Sequence, residues 1–133
     1  VTSDALSTHH DIGGVWGTEG ATGAMQAYLQ LNAPLVPMTS EADNGFMELA
    51  VQHKVPALVI GQSPSLSAVA VRAAIASLSG KTLPQAADIP LDPIATADMS
   101  AGTNYFPHQP GSFVTNLDIA KCGVNIPVAD VVK

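Results

Sequence analysis

With 133 residues, 47% of them hydrophobic and only 12% charged, the chain has the length of one domain and enough apolar side chain to bury a core, which excludes an intrinsically disordered segment. Its net charge of −6, with basic residues only at Lys54, Arg72, Lys81, Lys121 and Lys133, leaves no basic stripe to neutralise phosphates, so no nucleic-acid partner is expected. Cys122 is the only cysteine, which excludes an internal disulfide and a disulfide-stapled miniature fold, and no apolar run approaches the roughly 20 residues of a transmembrane helix.

The chain opens on Val1-Thr2-Ser3-Asp4, which has neither a basic n-region nor an apolar h-region, so an exported form is expected to have lost its leader. Gly14-Val15-Trp16-Gly17 reads as a short strand. Gly20 to Leu31 reads as a helix, because Ala21, Ala24, Met25, Tyr28 and Leu29 recur on one face. Asn32-Ala33-Pro34 stops it, since a residue before proline is pushed out of helical geometry. Leu35 to Met38 reads as a second strand, with Pro37 marking an edge or a start. A helix is expected over Asn44–His53. Val55 to Ile60 is almost continuously apolar, the pattern of a parallel strand covered on both faces.

Ser63-Pro64 predicts the start of the clearest helix, by a serine cap and a proline in the first turn, running to Ser79 and ending at Gly80. It carries two apolar stripes, one of Leu66, Val69, Ala70 and Ala73, the other of Val71, Ile75 and Leu78, and so calls for cover on two sides. After Gly80, prolines divide the chain into short pieces. Ile89 to Ala95 is a candidate strand, and the remainder from Ala97 reads as a wrapping tail. The repeated strand–helix–strand order implies an α/β fold with a doubly wound, mostly parallel sheet.

In such sheets ligands sit at the carboxyl ends of the strands. The loops to inspect are therefore Gly17–Gly20, Thr39–Gly45 and Gly61–Pro64. Glu19, Glu41, Asn44 and Gln62 would form a ring of acceptors and donors suited to sugar hydroxyls, and carboxylate bonds to hydroxyls are charge-assisted. Trp16 would offer an apolar platform to a sugar's C–H face. Each residue has a plainer reading. Glu19 favours a helix dipole, Asp43 or Asn44 reads first as a helix cap, and Trp16 reads first as core. Gln62 after an apolar strand has the fewest structural reasons to be polar. His9-His10 lack a third ligand at metal spacing, so no metal is expected. There is no Gly-x-Gly-x-x-Gly, no P-loop and no Gly-x-Ser-x-Gly elbow. Glu19 and Glu41 as an acid/base couple remain a minor reading, and no cofactor is called for.

Several segments resemble one family. His10-Asp11-Ile12-Gly13-Gly14-Val15-Trp16-Gly17 resembles the passage in which "HPDI" leads into the strand "GVWA", with His10 where the family usually has proline. Val36 to Phe46 resembles a "VPMTGExNNGF" ligand loop, Val59 to Pro64 an "ATIAQxP" strand exit, and Leu78-Ser79-Gly80-Lys81 an "LxGK" helix ending. Asn104-Tyr105-Phe106-Pro107 and Cys122-Gly123-Val124 resemble the tail of the same subgroup. In order and spacing these motifs resemble the C-terminal portion of type I periplasmic, ribose-like sugar-binding proteins of ABC transporters.

That resemblance implies a two-lobed fold closing on a small sugar or polyol, with ligand positions at Thr18 and Glu19, at Ser40 or Glu41, and at Gln62. The middle loop differs in length from ribose-type members, which leaves Ser40 and Glu41 as alternatives. It further implies that residues 1–62 and about 89–133 form the C-terminal lobe, that about 63–88 belong with the other lobe, and that the N-terminal half lies elsewhere or is replaced by another copy. The expected partner is a membrane ABC permease, and the expected location is periplasmic, or extracellular and membrane-anchored in a Gram-positive source. The same fold serves the effector-binding core of LacI-type repressors and the ligand lobes of membrane sensors. A further alternative is an α/β enzyme acting on sugars through Glu19 and Glu41.

Overall fold

A computed structural model describes residues 1–61, 63–89 and 91–131, the side chain of Ala129 excepted. In chain order the elements are α1 (Thr2–Thr8), β1 (Val15–Trp16), α2 (Ala21–Gln30), β2 (Met38–Ser40), α3 (Asn44–Gln52), β3 (Ala57–Val59), α4 (Leu66–Leu78), β4 (Ile94–Ala95) and α5 (Val128–Val131). The fold is α/β. β1, β2 and β3 pair in parallel and in consecutive order, and β4 closes the far edge antiparallel to β3.

Two compact units are present. One consists of Val1–Gly61 with Asp92–Thr115, the other of Gln62–Leu91 with Asn116–Lys133. The first holds the sheet, α1, α2 and α3. The second holds α4 and the end of the tail. There the Ser65 hydroxyl donates to the Leu117 carbonyl, and Arg72 Nη1 donates to the Gly123 carbonyl at 2.8 Å. Those bonds group the residues from Asn116 onward with α4, whereas sequence reading keeps 89–133 with the sheet.

The core of the first unit lies on one face of the sheet. Met25 and Tyr28 of α2 and Phe46, Met47 and Ala50 of α3 pack in one cluster with Met38, Ala57 and Val59 of the strands. Consecutive parallel order accounts for this. Right-handed crossovers that all advance in one direction deposit their helices on the same side. α1 also packs against α2. The other face carries no helix of this unit. Its row Trp16–Thr39–Leu58–Ala95 is set by strand register, and Trp16 is 88% exposed. Cover on both faces of β3 is therefore not observed. Val55, Ala57 and Val59 are buried, while Leu58 and Ile60 are 39% and 43% exposed. The second winding direction expected of a doubly wound sheet is likewise not seen among the described residues; what stands is a mostly parallel sheet flanked by helices.

Helix ends follow local chemistry closely. α2, α3 and α4 share one C-terminal device, in which the second residue past the cap donates back across the last turn: Ala33 N to Tyr28 O at 2.9 Å, Val55 N to Ala50 O at 2.9 Å and Lys81 N to Ala76 O at 3.0 Å. The preceding residues Asn32, Lys54 and Gly80 all take positive φ. Two element starts differ from expectation. β2 begins at Met38 because Pro37 has no N–H for the ladder, although its carbonyl accepts from Val15 N at 2.9 Å. α4 begins at Leu66, because Ser63 and Pro64 form a turn in which the Ser63 hydroxyl accepts from Ser65 N at 3.2 Å.

Phe46 is fully buried between the helices and the sheet. Phe46→Ala is expected to lower the unfolding free energy of this unit by about 3–5 kcal/mol, read from urea denaturation followed by circular dichroism.

Candidate functional site

The loops after β1 and β2 are fastened to one another. Gly17 N donates to Thr39 Oγ1 at 3.1 Å, and that hydroxyl donates back to the Gly17 carbonyl at 3.0 Å. The Ser40 hydroxyl donates to the Thr18 carbonyl at 3.5 Å. Gly20 then opens α2 at φ +82°, a left-handed conformation that glycine adopts without a Cβ penalty.

A strap formed by residues 106–115 closes over the start of α3. A helix leaves its first amides without intrahelical partners. Here Asn44 N donates to the Phe113 carbonyl and Gly45 N to the Gly111 carbonyl, both at 2.9 Å. The approach is close enough that a Cβ on Gly45 would lie 2.9 Å from the Gly111 Cα. Phe106 and Phe113 stack edge to face at 6.1 Å, and Thr115 N donates to the Ala42 carbonyl at 3.0 Å.

Asn44 belongs to this strap, not to an open ligand surface. It is 0% exposed; its Nδ2 donates to the Phe106 and Gln109 carbonyls at 3.0 and 3.2 Å, and its Oδ1 accepts from Phe106 N at 2.6 Å. Every hydrogen-bonding direction of the amide that these bonds use is spent on backbone, so its reading as a ligand residue gives way to a structural one. Ser40 is 3% exposed and turned toward the helix-covered face with Met38. Of the two alternatives in the middle loop, Glu41 is the accessible one, being half-buried. Thr18 and Glu19 are exposed. Gln62 lies outside the described residues. Trp16 is not core: it is 88% exposed on the face that carries no helix of its own unit, beside an apolar hollow of about 890 Å³ that also takes in Pro37, Pro56 and Leu58.

The residue that sequence reading undervalued is Asp43. By position it is the cap of α3, yet it makes no side-chain capping bond, and strap carbonyls take the amides of Asn44 and Gly45. Its carboxyl is pushed above the usual aspartate range, first by burial and then by the negative charge of Glu19. Glu19 and Asp43, from different loops, are thus brought within electrostatic reach. The signal was present in sequence as an acidic residue in a strand-end loop, but capping explained it equally well.

Elsewhere, a second hollow of about 390 Å³ is lined by Leu6, Ile12, Pro34 and Val36, with His9, His10 and Tyr28. The Tyr28 hydroxyl is buried without a hydrogen-bond partner, and burial raises its pKa. Among the described residues, no group of three or more His, Cys, Asp or Glu is placed to hold a metal ion. Compared with known proteins, the chain matches no family model, no curated protein and no solved structure.

Asn44→Ala strands the Phe106 amide and two strap carbonyls, and is expected to cost about 1–3 kcal/mol of stability, read as a lowered urea midpoint. Asp43→Asn has the opposite sign. A carboxyl whose folded pKa lies above its unfolded value weighs against folding when ionised, and that burden disappears as pH falls through the folded pKa and then the unfolded one. Asp43→Asn is therefore expected to stabilise at pH 7, with the gain shrinking to nothing in acid, as followed by melting temperature against pH.

Proposed function

We propose that the chain captures a small sugar or polyol as part of a solute-binding protein serving ABC-type import. The observation that carries this reading is the placement of Glu19, Glu41 and Asp43 in adjoining loops at the carboxyl end of a parallel sheet, where α/β folds bind ligands. Carboxylates presented there match hydroxyl-rich solutes, which donate to them in charge-assisted bonds. The order of sequence motifs that resemble ribose-like binding proteins supports the same reading, and with it the doubly wound type I lobe as the complete fold.

On this reading the mechanism is binding without chemistry. Thr18, Glu19 and Glu41 belong to one jaw, to which the resemblance of the sequence motif adds Gln62, and the other is supplied by the N-terminal half of the protein or by another copy. The solute bridges the jaws, closure is favoured by contacts to both, and the closed form is what a membrane permease recognises, in the periplasm or at the outer surface of a cell. The loop hydrogen bonds from Thr39 and Ser40 and the strap over α3 hold the carboxylate-bearing loops in place before the solute arrives, which lowers the ordering cost of binding.

A second reading has one observation in its favour. A carboxyl that burial and a neighbouring carboxylate hold more readily protonated is the arrangement of a general acid beside a base. An α/β enzyme acting on sugars would then use Glu19 with Asp43, in place of the Glu19–Glu41 couple suggested by sequence.

A thermal-shift screen of monosaccharides and polyols on the complete protein is expected to yield a stabilising solute that is recovered unchanged. Glu41→Ala and Gln62→Ala are each expected to weaken its calorimetric affinity by about 1–3 kcal/mol. Unaltered affinity in both variants would remove the site assignment, and turnover of the solute would favour the enzyme.

A further inference from the structure

The hollow of about 390 Å³ lies wholly within the first unit, at the end of the sheet where β1 and β2 begin and opposite the strand-exit loops. Leu6 of α1 lines it, with Ile12 on the approach to β1 and Val36 on the approach to β2. Its polar lining is Tyr28 of α2 with His9 and His10. Tyr28 is 2% exposed, and among the described residues its hydroxyl has no hydrogen-bond partner. A buried hydroxyl in that state forfeits the bonds it makes to water in the unfolded chain. Phenylalanine would fill the same space without that loss, so packing gives no reason for the hydroxyl. Burial raises its pKa, so it keeps its proton at neutral pH and is able to donate.

We propose that this hollow binds a small carboxylic acid with an apolar body, whose carboxylate accepts from the Tyr28 hydroxyl and from an imidazole of His9 or His10. The volume falls within the range of small-molecule pockets, about 300–1,000 Å³. Apolar walls with a few polar groups suit an apolar body with one polar head. The polar groups share the capacity to donate. The phenol offers an O–H, and an imidazole offers an N–H in either tautomer. A carboxylate has two oxygens to accept such bonds and takes them with charge assistance. Asp4 and Asp11, the acidic residues adjacent in the chain, are exposed and lie outside the lining, so neither stands in the hollow to repel an anion. In the free chain the hydroxyl is closed off, and binding requires α1 to give way. α1 has seven residues and none is buried, so little apolar contact opposes a small displacement. The proposal does not depend on the sugar-binding reading, whose loops lie at the other end of the sheet.

The test is an NMR titration of the isotope-labelled chain with benzoate and with hexanoate, set beside their neutral counterparts benzyl alcohol and hexanol. At least one of the two acids is expected to shift the ring signals of Tyr28 and of His9 or His10 in a saturable way. Its counterpart alcohol is expected to bind at least roughly tenfold more weakly, having lost the charge-assisted bonds. Tyr28→Phe separates binding from folding. Its melting temperature should hold or rise, because the hydroxyl it removes has no partner in the free chain, while its affinity for the acid should fall roughly tenfold. The proposal is overturned if neither acid gives saturable shifts at these rings, or if the alcohols bind as well as the acids. It is equally overturned if Tyr28→Phe binds the acid unchanged, or if that variant melts at a lower temperature, the result for a hydroxyl already satisfied by water.

Discussion

A parallel strand pair cannot be closed by a tight turn; the chain must leave one end of the sheet and return to the other, and it does so through a helix. In this protein that constraint acts twice in the same direction, from β1 to β2 and from β2 to β3. Two consequences follow from it. α2 and α3 lie on one face and share a core built on Tyr28, Phe46, Met25 and Met47, which leaves the opposite face without a helix of the same unit. The exits of the three parallel strands β1, β2 and β3 point to one end, which gathers the loops bearing Thr18, Glu19, Glu41 and Asp43 there.

Within that end, the buried amide of Asn44 ties the strap to α3, and Asp43 makes no capping bond. The carboxylate is left half-buried and facing the charge of Glu19, a costly arrangement unless something else repays it. A solute hydroxyl that donates to these oxygens would do so. On the proposed reading, stability and binding would be set against each other in this one side chain, as is common where a site holds ionisable groups away from their preferred surroundings.

Much of the architecture was legible in the sequence. The 3.6-residue recurrence over Ala21, Met25, Tyr28 and Leu29 located α2, Gly80 marked the end of α4, and the alternation of strands with helices gave an α/β fold. The misreadings share a cause. An apolar run shows that a strand avoids charge, not how many of its faces are covered, so Val55 to Ile60 read as buried on both sides and Trp16 read as core. Likewise a polar residue in a strand-end loop reads as a ligand residue until the partners of its amide are known; for Asn44 those partners lie more than sixty residues away, at Phe106 and Gln109.

The sequence by itself determined the class of fold, the C-terminal ends of α2, α3 and α4 and the acidic character of the strand-end loops, because these depend on residue type and on neighbours within a few positions. Tertiary structure alone decided which of those loop residues are accessible. Ser40 and Asn44 are withdrawn by hydrogen bonds to distant backbone, whereas Glu41 stays half-buried and Asp43 is left without a capping bond. The reason is physical: burial and hydrogen-bond satisfaction are properties of what packs against a residue, and here the strap that packs against α3 comes from the far end of the same unit's chain.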